Sequence, residues 1–154
     1  MRTITLEELK ELIENKRYGA IKRALSEEYP VDIAEMLEEL PFEWVVPIFR
    51  LLPKELGADT FIEMGSDLQE RLIGGFSDKE LRLLLNEMYV DDTVDLIEEM
   101  PANVVKRILA TAHPEMRKDI NEILAYPKDS AGSVMTTEYI ALRSFMTVVE
   151  AFEK

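Results

Sequence analysis

Apolar residues recur at helical spacing from the beginning of the chain to about Tyr126. Each apolar stripe is short and ends at proline, glycine or a polar stretch. The capping-box patterns Thr5-x-x-Glu8 and Ser77-x-x-Glu80 indicate two helix starts. Prolines lie near the joints, where proline suits the first turn of a following helix: Pro30, Pro41, Pro53, Pro101 and Pro114. Since no strand-like alternation occurs before residue 130, the pattern predicts an all-α region of about ten short helices.

Part of this pattern repeats along the chain. Residues 32–41 (DIAEMLEELP) return as residues 92–101 (DTVDLIEEMP), and residues 58–65 form a weaker copy. Each copy joins one helix to a second helix through proline or glycine. A single hairpin of this kind cannot bury both of its faces, so we expect the hairpins to stack. The predicted fold is a superhelical stack, an α-solenoid of helical hairpins.

The pattern changes after Tyr126. Residues 127–133 (PKDSAGS) are polar and small, which is typical of a linker. Residues 139–143 alternate like a strand, and Thr147 is a plausible N-cap for a helix that follows. About 25 residues cannot bury a core of their own. We therefore predict a helical domain over residues 1–126, and a linker with the start of a second, α/β domain over residues 127–154.

Composition and charge exclude several functions. The formal net charge of −13 opposes binding to nucleic acid or to anionic membranes, and favours cations and basic surfaces as partners. Cysteine is absent, which excludes disulfides, thiolate catalysis and cysteine zinc sites. The single histidine, His113, precedes a proline at a predicted helix start, and no nucleophile or phosphate-binding motif occurs. The sequence predicts a protein that is not an enzyme.

Carboxylates are the remaining candidate functional groups. Asp91, Asp92 and Asp95 open one predicted helix, and Asp91 and Asp95 share a face because they are four residues apart. One interpretation is a solvated first turn, favoured by the helix dipole. The other is a site for a hard cation such as magnesium, with a second surface supplying further oxygen ligands. Asp59 is a further candidate, since its repeat copy lies on a helix that can stack nearby.

At this point the residues resemble a known family. Helical hairpins that contain LLPK (51–54) and VDDTVD (90–95) are followed by YPKDSAGSVMTTEY (126–139). Together they resemble the cytosolic N-terminal region of the MgtE-type magnesium transporters. Residues 134–143 and 146–151 are similar to the opening of a CBS (cystathionine-β-synthase-type) domain. The resemblance covers essentially the whole chain.

The resemblance implies a function and a set of ligands. In that family an acidic helical domain precedes two CBS domains, a connecting helix and a dimeric transmembrane pore, and Mg2+ bound between the cytosolic parts holds the pore closed. The resemblance places the family's ligands here on Asp59, Asp91 and Asp95, and on the backbone carbonyl of Ser133. The implied partners are Mg2+ and the CBS domains and pore of the same parent chain, a homodimer at the cytoplasmic face of the cell membrane.

Two other functions stay open from the sequence. The runner-up is a helical-repeat scaffold that binds a protein and has no ion-sensing role, because α-solenoids usually bind proteins. A metal-dependent hydrolase requires a tighter ligand cluster with a general base. The reading frame after Lys154 separates the transporter from the scaffold, because a transporter requires the rest of a CBS pair and then apolar stretches of about 20 residues.

Overall fold

The computed structural model describes residues 4–152, and these form helices without any strand. The helices are α1 (Leu6–Glu14), α2 (Tyr18–Leu25), α3 (Pro30–Glu38), α4 (Phe42–Phe49), α5 (Lys54–Ile62), α6 (Ser66–Gly75), α7 (Asp78–Leu85), α8 (Val90–Glu99), α9 (Ala102–Thr111), α10 (Pro114–Leu124) and α11 (Val148–Phe152). The predicted all-α region, with about ten helices before residue 126, is confirmed.

Local sequence signals set the helix boundaries as predicted. The Thr5 hydroxyl accepts from the Glu8 backbone N–H at 3.2 Å, while the Glu8 carboxylate accepts from the Thr5 N–H at 3.0 Å. Ser77 and Glu80 form the same capping box before α7. Proline occupies the N-cap or the first position of five described helices: Pro30, Pro41, Pro53, Pro101 and Pro114.

The helices stack as a series of hairpins. α3 packs on α5, α5 on α7 and α7 on α9, while α4 packs on α6 and α8 on α10. One continuous core of apolar side chains runs from α1 to α10. The repeated segments bury equivalent positions, since Ala34 and Leu37 of α3 correspond to the buried Val94 and Ile97 of α8. The α-solenoid architecture is that expected from the repeats.

The C-terminal segment differs from its prediction. No strand forms at residues 139–143, because a strand requires a neighbour for its backbone hydrogen bonds and the described part of the chain offers none. The helix predicted after Thr147 does form, and its Thr147–Glu150 capping box is complete. Apolar side chains in this segment face solvent, and that of Phe152 is 88% exposed.

Within residues 4–152, every helix is too short or too polar to cross a lipid bilayer.

Candidate metal site

The amino-terminal half of α8 carries the predicted carboxylates. Thr93 and Val94 are buried toward the core, so the aspartates on either side of them lie toward the surface. Asp91 and Asp92 are half-buried, and Asp95 is exposed. Three carboxylates thus lie on the first two turns of one helix, where the helix dipole offsets part of their mutual repulsion.

Asp59 on α5 lies close enough to α8 to act on it electrostatically. The pKa of Asp92 is raised, first by burial and then by the charges of Asp91, Asp95 and Asp59. The stacking of the hairpins therefore brings Asp59 into the field of the α8 carboxylates, although the two helices are separated in sequence. Together, Asp59, Asp91, Asp92 and Asp95 are called the acidic cluster below.

A cleft of about 270 Å³ adjoins this cluster, between α8 and the joint of α5 and α6. Its acidic wall is formed by Asp92, Asp95 and Glu99. Burial raises the pKa of Asp95, and the nearby charges of Glu98, Asp91 and Glu99 raise it further. A raised carboxyl pKa means that negative charge is costly here, so a cation entering this region stabilises the ionised groups.

Asp91 supplies an unused acceptor. Its Oδ1 atom is buried and has no hydrogen-bond partner. A buried carboxylate oxygen without a donor is unusual, since most buried polar atoms are paired. Oxygen donors of this type suit Mg2+, which takes one or two carboxylates and retains several waters.

The acidic cluster is not a complete metal cage. Among residues 4–152, no group of three or more aspartate, glutamate or histidine side chains is arranged to hold a metal ion. The donors fit a hard cation in kind but are too few in number. The cluster has the chemistry of a half-site, whose remaining ligands come from water or from another surface.

The turn at Ser133 lies outside the helical stack. The Ser133 hydroxyl donates to the Ser130 carbonyl at 2.9 Å, and its backbone N–H donates to the same oxygen at 3.1 Å. The side chain is thus engaged within the turn, and the backbone carbonyl is the donor atom that a ligand role requires.

Glu138 is a residue near the cluster that the sequence reasoning missed. Its carboxylate accepts a hydrogen bond from the Val90 N–H at 2.9 Å, at the beginning of α8. The charge of Glu138 also contributes to the raised pKa of Asp92. No local signal marks this contact, because it joins two residues that are 48 positions apart.

Comparison with known proteins decides the family. The model of the MgtE intracellular N domain matches residues 28–129. The chain belongs to this family. As an intracellular MgtE N domain it lies on the cytosolic side, as predicted, and the resemblance seen in the sequence is confirmed.

Two curated relatives carry the same domain. The magnesium transporter MgtE of Thermus thermophilus is 30% identical over 146 residues, which cover 92% of this chain and 32% of the relative. The magnesium transporter MgtE of Bacillus subtilis is 24% identical over 143 residues, which cover 93% of this chain and 32% of the relative. The MgtE N domain described here therefore spans about a third of the length of these relatives.

Solved structures share the fold. A crystal structure of the cytosolic domain of the Mg2+ channel MgtE in complex with ATP superimposes with a TM-score of 0.83 at 27% identity, covering 97% of this chain and 61% of that one. The soluble part of a magnesium transporter gives the same TM-score of 0.83 at 21% identity, covering 96% of this chain and 59% of that one.

Proposed function

We propose that this MgtE N domain is the magnesium-sensing regulatory domain of a magnesium transporter, and that it gates a membrane pore rather than catalysing a reaction. Membership of the family and the names of both curated relatives support this proposal. Residues 1–126 act as the helical sensor domain. Residues 127–154 act as the linker and the opening of a CBS domain, whose exposed apolar side chains are covered by the rest of that domain.

The observation that carries the proposal is the incomplete acidic cluster on α8. Its carboxylates are partly desolvated, and Asp91 keeps a buried acceptor oxygen without a partner. We assign the side chains of Asp59, Asp91 and Asp95, and the backbone carbonyl of Ser133, as the ligands that this domain contributes to bound Mg2+. Further ligands come from an apposed acidic surface of the CBS domains.

Net charge explains why such a half-site can sense magnesium. At −13 the domain is repelled by another acidic surface. A divalent cation bound between the two surfaces supplies positive charge at the point of closest approach. Ion binding and closure of the two domains are then thermodynamically linked, so each strengthens the other. With few protein ligands, the affinity is expected on the order of millimolar, as in the weakest calcium modules.

The first test is a magnesium titration of this chain, labelled with ¹⁵N, at fixed ionic strength. Amide shifts that cluster at Asp59, Asp91 and Asp95 and saturate at about millimolar Mg2+ are expected. Diffuse shifts that match a sodium control would assign the cluster to an ordinary solvated surface in the isolated domain.

The second test uses the full-length transporter. Asp91→Ala combined with Asp95→Ala should weaken the response of transport to cytosolic Mg2+. The matched control is Glu11→Ala with Glu14→Ala, which removes the same charge from exposed positions of α1. An unchanged response of the aspartate variant, with normal expression and fold, rejects the sensor role and favours a protein-binding scaffold.

A further inference from the structure

The segment that follows α10 is folded back onto the helical domain at two points. The first is Gly132, whose backbone lies against the ring of Tyr126 at the end of α10. A Cβ added to Gly132 would lie 2.3 Å from Cδ1 and 2.5 Å from Cγ of that ring. Real Cβ atoms essentially never make contacts below 3.0 Å, so a side chain at this position would displace either the Tyr126 ring or the turn.

The second point is Glu138, whose carboxylate accepts from the Val90 N–H at 2.9 Å. Val90 is the first residue of α8 and is only 3% exposed. The first N–H groups of a helix have no partner within the helix, and the N-cap residue Tyr89 provides no side-chain hydrogen bond. Glu138 therefore supplies, from 48 residues away, an acceptor for the first of these N–H groups, as an N-cap side chain does for the second or third.

The neighbours of Glu138 act on this contact in opposite directions. The positive end of the α8 dipole attracts the carboxylate. The charges of the acidic cluster repel it, and the charge of Glu138 in turn contributes to the raised pKa of Asp92, after burial and the charges of the cluster. Thr136 supports the local geometry, since its hydroxyl accepts from the Glu138 N–H at 3.2 Å.

We propose that Glu138 is a positioning residue, a long-range N-cap of α8 that holds residues 127–138 against the helical domain. It thereby sets the place and direction in which the chain leaves this domain. The contact uses only residues of this chain, so it forms without bound magnesium. If the sensor function proposed above holds, the same contact keeps the Ser133 turn oriented with respect to the acidic cluster.

The test follows two signals in magnesium-free buffer. One is the ¹H shift of the Val90 amide, which a hydrogen bond to a carboxylate moves downfield. The other is the rate of protease cleavage within residues 127–138. In Glu138→Ala the Val90 proton should move upfield and cleavage should become about fivefold faster, which is the effect expected for loss of one N-cap.

Two further variants separate a specific contact from a general change of charge. Glu138→Gln retains an oxygen acceptor without the charge, so it should give values between those of the wild type and Glu138→Ala. Glu122→Ala removes one charge from an exposed position of α10 and should behave as wild type. If Glu138→Ala matches Glu122→Ala in both signals, the proposed N-cap is refuted.

Adding Mg2+ distinguishes this inference from the sensor function. A Val90 proton that responds to Glu138→Ala without Mg2+ supports the N-cap, whether or not the acidic cluster then binds the ion. Absence of magnesium-dependent shifts at Asp91 and Asp95 counts against the sensor function alone.

The Gly132→Ala variant should also accelerate cleavage within residues 127–138, because the added methyl group disrupts the contact between Gly132 and the Tyr126 ring. Cleavage at the wild-type rate in this variant would contradict a segment that is folded back.

Discussion

Replacement of Arg107 by methionine should destabilise the domain by about 2–3 kcal/mol. Arg107 lies on α9, and its guanidinium donates to the carbonyls of Ile73 and Phe76 at the end of α6. It also donates to the Asp78 carboxylate at the start of α7, at 3.1 and 3.2 Å. One side chain thus joins α6, α7 and α9, and it provides donors for carbonyls that lack a partner where α6 ends.

The size of this destabilisation depends on how far water replaces the hydrogen bonds that Arg107 makes. Hydrogen bonds to a charged donor contribute about 1.5–3 kcal/mol each, but the Arg107 side chain is 31% exposed, so water replaces part of what the two carbonyls lose. The ion pair with Asp78 adds little, because that carboxylate is 76% exposed. Methionine retains most of the apolar stem of arginine, so loss of packing is small.

Urea unfolding followed by circular dichroism measures the change. The midpoint should fall while the slope stays constant, since the folded structure exposes the same surface on unfolding. Arg107→Lys should lower the unfolding free energy by about half as much as Arg107→Met, because one ammonium group cannot bond both carbonyls in the fork geometry of arginine. Asp78→Asn should lose less than about 1 kcal/mol.

Two results would refute this reasoning. The first is an Arg107→Met variant within about 0.5 kcal/mol of the wild type, the usual range for surface substitutions. The second is an Asp78→Asn variant as unstable as Arg107→Met, since this would assign the stabilisation to the ion pair. Raised salt gives a further check, because an exposed ion pair is screened whereas the carbonyl hydrogen bonds largely persist.

Three further predictions concern charge and backbone strain. The hydrogen bond from Arg50, followed by those from the Ser77 backbone and hydroxyl, lowers the pKa of Glu80 from 4.5 to about 2. Because the pKa of Glu80 is lower in the folded state than in the unfolded state, this stabilisation is full above about pH 4.5 and is lost toward pH 2. Arg50→Met should therefore lower the unfolding free energy by about 1 kcal/mol near neutral pH and by almost nothing near pH 2. Urea unfolding curves recorded over a series of pH values measure the difference. Lys16 follows α1 in the left-handed backbone region, with a φ of 53°, which glycine adopts without strain. Lys16→Gly should therefore raise the unfolding free energy by about 0.5–1 kcal/mol. A variant less stable than the wild type would contradict the assignment of strain. Burial and neighbouring carboxylates raise the pKa of Asp95, so Asp95→Asn should stabilise the domain by a few tenths of a kcal/mol at neutral pH while weakening the magnesium-dependent amide shifts.

The helices were predictable because their signals are local. A capping box such as Thr5 with Glu8 needs only four consecutive residues, and a proline at a joint acts on its own turn. The spacing of Asp91 and Asp95 likewise places both on one helix face without knowledge of the fold. The strand expected at residues 139–143 was wrong because alternation describes a preference, whereas a strand exists only with a partner for its backbone.

The sequence by itself determined which residues form helices, which faces are apolar and which helix carries the cluster of aspartates. Only the tertiary structure decided which distant groups meet. Stacking of the hairpins places Asp59 in the field of α8, Arg107 over the carbonyls of α6, and Glu138 on the Val90 N–H. The physical reason is that helix formation and capping depend on neighbours within about one turn, whereas these contacts depend on the packing of many apolar side chains at once.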